Sequence, residues 1–304
     1  MHVILIAGGW SDEREVSLSG ARKIHTALEE LGHDVTFFDP ALDFKNLMRV
    51  AAEADFAFIN LHGTPGEDGL IQGMLDKAGC PYQGAGAAPS YLSLNKAASK
   101  ELFESIGVPT PDWQMITPVQ GRDAALALPL PVFVKPNKGG SSLGMTLVRS
   151  ADQFPAALDK VFALRQSALV ERYIPGVELT CGVLGDRPLP LIMIRPKQGA
   201  DFFDYENKYA ADGAEEICPA PVDAAISDAI QEQMLAVHKA LGLTGYSRGD
   251  FILAADGTPF LLEVNTLPGM TPTSLVPRAA AAVGLGFTAL IAELIRLGLE
   301  RQAG

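Results

Sequence analysis

Residues 3–38 read VILIAGGWSDEREVSLSGARKIHTALEELGHDVTFF. The apolar run 3–7 reads as a strand, 15–31 as a helix and 35–38 as a second strand, with a third strand at 56–61. Ile24, Leu28 and Leu31 recur at the three-to-four spacing of a buried helix face, and Gly32 stops that helix. Strand and helix in alternation make the βαβ rhythm of a parallel sheet covered by helices, so the fold class is α/β.

Outward from this unit, residues 81–89 are a composition break rich in glycine, alanine and proline, and Gly84-Ala-Gly86 reads as a linker turn. A helix carrying Lys96 closes before Gly107-Val-Pro109. Residues 131–135 read as a strand and 145–148 as its hairpin partner across a glycine- and serine-rich loop. Strands follow at 168–173, 178–184 and 189–194, whereas 199–216 has no period and is expected to be a mobile loop. Ile226, Ile230, Met234, Val237 and Leu241 share one helix face, strands are expected at 246–254 and 259–264, and Leu290, Ile291, Leu294 and Leu297 mark a closing helix. Strand-rich segments with attached helices give this remainder an α+β character.

The 304 residues are 48% apolar and 20% charged, a globular composition. A net charge of −12 argues against a general nucleic-acid binder, which carries a dominant basic face. Cys80, Cys181 and Cys218 are far apart and odd in number, so neither a disulfide framework nor a zinc site is indicated. The opening apolar run is short for a signal peptide and lacks a basic lead, and no run reaches the ~18 residues of a membrane span. A cytoplasmic protein is expected.

Three regions carry candidate chemistry. The loop Lys135-Pro-Asn-Lys-Gly-Gly-Ser-Ser-Leu-Gly144 packs glycines, serines and lysines between two strand signals, a composition that cradles phosphate and that an ordinary hairpin turn shares. In Arg248-Gly-Asp250 and Leu261-Leu-Glu-Val-Asn265, alternation sends Glu263 and Asn265 to one face and Val264 to the core. The turn Asp256-Gly257 makes the two segments hairpin partners, bringing Asp250 beside Glu263. Two carboxylates and a carboxamide form an oxygen-only set suited to Mg²⁺; a solvated sheet face would show the same alternation, but the apolar neighbours favour a metal. The loop 8–20 lies at the carboxyl end of the first strand, where open α/β sheets bind ligands. Its Glu13 and Glu15 could hold an ammonium or complement the helix dipole, and His62 follows a strand on the same edge.

Five motifs connect these regions: Gly-Gly-x-Ser-x-Glu-Arg-Glu-Val-Ser-Leu (8–18), His-Gly-Thr-x-Gly-Glu-Asp-Gly (62–69), Lys-Pro-x-x-x-Gly-Ser-Ser-x-Gly (135–144), Asp-Tyr-x-x-Lys-Tyr (204–209) and Leu-Glu-x-Asn-Thr-x-Pro-Gly-Met-Thr (262–271). In their order and spacing the chain resembles the D-alanine–D-alanine ligases of the ATP-grasp superfamily over nearly its whole length. The resemblance implies an N-terminal parallel-sheet substrate domain (1–86), a central ATP-grasp domain (87–175) and a C-terminal ATP-grasp domain with the metal and catalytic residues (176–304). It implies ATP-dependent ligation of two D-alanine molecules through an acyl phosphate, for peptidoglycan. Ligases using D-lactate or D-serine second, or another ATP-grasp carboxylate–amine ligase, are the alternatives, and Tyr209 fits the dipeptide type.

The resemblance also implies roles. Glu13 holds the first D-alanine's ammonium with His62 nearby, and Ser141 and Tyr209 tie two loops over the site. Arg248 and the Gly269 N–H stabilise the transferring phosphate and the tetrahedral intermediate. ATP lies on Lys96, Lys135 and Lys208, with Glu171, Tyr173 and Ile174 at the adenine and Glu178 at the ribose. Ser274 and the Leu275 backbone take the second carboxylate, and Asp250, Glu263 and Asn265 hold Mg²⁺ or Mn²⁺, as two ions. A homodimer follows from the same likeness, with no nucleic-acid or membrane partner expected, and Lys96, Lys135, Lys208 and Arg248 converge with the metal to make a locally positive pocket in an acidic protein. Three positions depart from the family pattern: Asn95 where aspartate is common, Gly139-Gly140 where a Glu-Gly pair is common, and Gly249 where a larger residue often stands.

Overall fold

The structure is a computed structural model that describes residues 1–140, 144–196 and 214–303. Strands β1 (His2–Ala7), β2 (Asp34–Phe38) and β3 (Phe56–Asn60) form a parallel sheet in the order β2-β1-β3. Val3, Ile4, Leu5 and Ile6 are all fully buried, which is why β1 reads as an unbroken apolar run rather than an alternating one. Helix α1 (Arg14–Glu30) buries Ile24, Ala27 and Leu28 in the same core. Gly32, at φ +77°, ends the helix by giving its N–H to Glu29 O at 2.9 Å.

Short helices α2 (Pro40–Asp43), α3 (Leu47–Ala52) and α4 (Leu70–Ala78) complete this region, and α5 (Ala87–Leu94) and α6 (Lys96–Ser105) lead away from it. Next, β4 (Trp113–Ile116), β5 (Val132–Pro136), β6 (Thr146–Val148) and β7 (Ala168–Arg172) pair antiparallel as β4-β7-β5-β6. Helix α7 (Phe154–Ala163) covers one face, packing Leu158 and Val161 among Val132, Val134 and Val170.

The third sheet contains β8 (Gly176–Leu184), β9 (Arg187–Pro188), β10 (Ile192–Pro196), β11 (Ala214–Ile217), β12 (Tyr246–Ala254) and β13 (Pro259–Asn265). Its order is β11-β10-β8-β12-β13, with β9 on β8, and every pair is antiparallel. Helix α8 (Ala224–Ala240) buries Ile230, Met234 and Val237 against it, the face expected from the spacing. One expectation needs correcting: 214–216 is strand, because Glu215 and Glu216 lie opposite Arg195 and Ile194 of β10. Residues 199–213 of the expected loop lie outside the described residues.

Helices α9 (Leu275–Ala282) and α10 (Phe287–Ala303) return the chain to the first sheet. Leu290, Ile291 and Leu294 join the core of β1 to β3, and Thr288 Oγ1 donates to Glu30 Oε2 at 2.8 Å. The closing helix therefore fastens the last third of the chain to the first. No single described helix is long and apolar enough to cross a membrane.

Beneath β12, His238 of α8 is buried and its Nδ1 lies 2.7 Å from Ser247 Oγ. Burial, with a smaller push from Lys239, lowers its pKa from 6.5 to about 4. The unfolded chain takes up this proton first, so the contribution to stability is complete above pH 6.5 and is lost as pH falls through about 4. In denaturant titrations His238→Gln is expected to be less stable at neutral pH, with the gap to the parent protein narrowing across that window. A constant gap would remove His238 as the titrating group.

Candidate active site

The central and third sheets face each other across a cleft of about 460 Å³, to which the loop after β1 contributes Ser11, Asp12 and Glu13. Its floor is the β12–β13 hairpin, closed by a turn in which Gly257, at φ +87°, donates to Ala254 O at 2.9 Å. The register places Asp250 opposite Glu263, the expected pairing, and Arg248 opposite Asn265. Strict alternation then fails. Phe251 pairs with Leu261, leaving Leu262 as an extra residue in β13. This bulge reverses the parity of the strand, so Leu261 and Val264 both enter the core while Leu262 and Glu263 both line the cleft.

Charge pairs fix the side chains on this floor. Arg248 donates from Nε and Nη2 to the two oxygens of Asp250, each at 2.7 Å. Burial opposes the guanidinium charge, but Asp250 and Glu263 overrule it and hold the Arg248 pKa above its ordinary value. Lys96 Nζ lies 2.9 Å from Glu263 Oε2 and donates to Gly139 O at 2.6 Å. Lys96 is the first residue of α6, whose preceding Asn95 accepts from Ala98 N at 3.3 Å and from Asn137 Nδ2 at 2.8 Å. Asn137 Oδ1 in turn accepts from Ala97 N at 2.9 Å. A neutral carboxamide at 95 thus still caps the helix, and stitches the glycine-rich loop to it.

On the opposite wall, Glu171 of β7 is buried between two lysines. Lys135 Nζ lies 2.6 Å from Oε2, and Lys100 of α6 is paired with Oε1. Burial alone would raise the Glu171 pKa, but the two ammoniums hold it below the carboxylate range. Lys135 is raised, because Glu171 and Glu263 outweigh its burial; Lys100 is lowered, because in its case burial wins. Tyr173, Ile174 and Glu178 continue the same wall.

At the end near the first sheet, Glu67 was missed by sequence reading. It is buried, accepts from Gly63 N at 3.0 Å, and is pushed up to about 7 by burial and then by Glu13. A Cβ on Gly140 would stand 3.6 Å from Glu13 Oε2 and 4.0 Å from Glu67 Oε2, so this loop carries glycine where it approaches two carboxylates. His62 is buried beside them in sequence, and Gly63 packs toward Ser11. Ser274 precedes α9, its Oγ accepting from Thr271 N at 3.1 Å and lying 3.1 Å from a Cβ built on Gly269, while Leu275 lines the cleft. Asn265 lies in a small adjoining recess with Lys96, Gly139 and Glu263. Ser141, Lys208 and Tyr209 lie outside the described residues.

In the cleft Lys96, Lys135 and Arg248 are paired with Glu263, Glu171 and Asp250. Lys100 was also missed, although its position four residues after Lys96 puts it on the same helix face.

The sequence profile of the D-ala D-ala ligase C-terminus matches residues 102–296, and that of the N-terminus matches 40–85. D-alanine–D-alanine ligase of Maridesulfovibrio salexigens is 59% identical over 302 residues, covering 99% of this chain and 100% of its own. The ligase of Nitratidesulfovibrio vulgaris strain DP4 is 59% identical over 299 residues, 98% of each chain. The crystal structure of D-alanine–D-alanine ligase from Bacillus anthracis complexed with ATP superposes with a TM-score of 0.87 at 31% identity, covering 100% of this chain and 99% of that one.

Gly249, between the two charged residues of the floor, has a close neighbour underneath. A Cβ there would collide with Met234 Sδ and stand 3.0 Å from Phe251 Cε2. Gly249→Ala is expected to cost about 1–3 kcal/mol of stability, read as a lowered melting temperature. Adding Met234→Ala makes room, so the double variant is expected to lose less than the sum of the singles; strict additivity would contradict the contact.

Proposed function

The chain belongs to the D-alanine–D-alanine ligase family, and on that premise we propose how its cleft carries out the family's reaction. The enzyme joins two D-alanine molecules in an ATP-dependent ligation that gives D-alanyl-D-alanine for peptidoglycan, with ADP and phosphate as the other products. In the proposed course, a carboxylate oxygen of the first D-alanine attacks the γ-phosphorus of ATP; an O–P bond forms and the bond to ADP breaks. The amine of the second then attacks the acyl carbon, a C–N bond forms, phosphate leaves and the amine sheds its proton.

The single observation that carries the assignment of roles is the hairpin register, which gathers Arg248, Asp250, Glu263 and Asn265 on one floor. Phosphoryl transfer needs positioning and charge neutralisation more than covalent help from the protein. Lys96 and Lys135 supply cations to the phosphates, Lys208 adds another, and Arg248 stays protonated to meet charge on the transferring group. Tyr173, Ile174 and Glu171 receive the adenine, and Glu178 the ribose. Glu13 holds the first ammonium near His62, and Ser141 and Tyr209 close loops over it. The Gly269 N–H takes the oxyanion. Ser274 and the Leu275 N–H bind the second carboxylate, at a helix start whose free N–H groups favour an anion.

Asp250, Glu263 and Asn265 would hold Mg²⁺ or Mn²⁺, as two ions. The set is two carboxylates and a carboxamide on paired strands of one hairpin. An oxygen-only set of this size fits a metal whose shell is completed by phosphates and water. When bound, the metal neutralises charge on the phosphates. The division into 1–86, 87–175 and 176–304, a cytoplasmic location and a homodimer are proposed with the family as their support.

Phosphate release from ATP, measured with a panel of D- and L-amino acids and D-lactate, is expected to respond to D-alanine and not to L-alanine. A strong preference for D-lactate, D-serine or another amino acid would overturn the substrate assignment. Glu263→Gln and Arg248→Ala are each expected to lower kcat by about 10²-fold or more; near-parental turnover in either would break the assignment of the floor.

A further inference from the structure

We propose that Lys100 is a positioning residue for nucleotide recognition, keeping the Glu171 carboxylate charged and in place while Lys135 changes partners. The proposal rests on the reading of Glu171 as the group that receives the adenine.

Lys100 is fully buried and is not among the described residues lining the cleft. Its Nζ donates to Thr110 Oγ1 at 2.5 Å, and Thr110 Oγ1 donates to Leu261 O of β13 at 2.7 Å. On its other side it lies against Glu171 Oε1, contributing charge at contact distance, while Lys135 donates to Oε2 at 2.6 Å. The carboxylate is thus gripped from behind by a lysine tied to the third sheet and from the front by a lysine facing the cleft.

Burying an ammonium is unfavourable, and an apolar side chain of the same length would fill the space as well. A second cation becomes necessary once Lys135 has two anions to serve. In the structure Lys135 is held by Glu171; with nucleotide bound, its proposed place is on the phosphates. If Lys135 were the sole counter-ion, Glu171 would then be a buried charge with no partner, which is strongly unfavourable. Lys100 cannot follow Lys135 into the cleft, because α6 and Thr110 hold it. It stays with Glu171, and Lys135 is released without leaving an uncompensated carboxylate. Nucleotide affinity and base selectivity therefore depend on a lysine that does not touch nucleotide, whereas D-alanine binding does not depend on it.

The test uses the full-length enzyme carrying Lys100→Met, with ATP and with ITP, whose 6-oxo group replaces the 6-amino group of ATP. The expected result is a rise of about tenfold in KM for ATP, a reduced preference for ATP over ITP, and an unchanged KM for D-alanine. Glu171→Gln, measured alongside, is expected to reduce the same preference, since its amide can present an N–H to the 6-oxo group. If Lys100→Met lowers the melting temperature or kcat but leaves KM for ATP and the ATP-to-ITP ratio unchanged while Glu171→Gln alters them, Lys100 is structural and the proposal is wrong. If Glu171→Gln leaves the ratio unchanged, the adenine reading fails and the proposal with it. Should Lys100→Met not fold, Thr110→Val decides by the same two readouts, because it removes the hydroxyl that holds the ammonium.

Discussion

Asp250 and Glu263 stand opposite each other on β12 and β13, held side by side by the backbone pairing of one hairpin. Their repulsion is relieved by Arg248 on the one and Lys96 on the other. This arrangement couples the backbone to the chemistry, because leaving a buried charge without its partner costs about 3–5 kcal/mol. Lys96, Lys135 and Arg248 each stand on a carboxylate of the cleft. In the proposed course, binding nucleotide is an exchange of partners for cations already paired. Preorganisation of this kind needs little rearrangement at the moment of reaction.

The rest of the molecule holds that floor against its surroundings. Helix α6 is the main connector: Lys96 at its start reaches Glu263 and the glycine-rich loop, while Lys100 one turn later reaches Glu171. One short helix thus registers the central sheet against the third. The closing helix α10 fastens the third of the chain that contains the hairpin onto the first sheet, and so fixes where Glu13 stands relative to Glu263. Glycine serves geometry in two places: Gly140 leaves room beside Glu13 and Glu67, and Gly249 lets α8 approach the floor closely.

Much of this could be read from the residues. The doubly buried β1, the face of α8 and the hairpin that carries Asp250 and Glu263 follow from periodicity and turn chemistry, which are local properties of the chain. What escaped were features set by tertiary context. The bulge at Leu262 leaves no signature in an alternating pattern, so the parity of Leu261 could not be inferred. Lys100 looks like any helix lysine until the sheet carrying Glu171 is brought against it. Glu67 becomes distinctive only through burial near Glu13, and the carboxylate between Lys100 and Lys135 is recognisable only once the sheet and helix are packed together. The strand at Ala214–Ile217 is short and polar, and only its pairing with β10 identifies it.

The central claim is that the cleft activates a carboxylate by phosphorylating it, and the path of one oxygen atom tests this directly. D-alanine labelled with ¹⁸O in its carboxyl group is incubated with enzyme and ATP, and the released phosphate is analysed by mass spectrometry. Transfer of one carboxyl oxygen to phosphate is the predicted result, because the acyl C–O bond breaks when the amine attacks. Phosphate free of label would contradict the account.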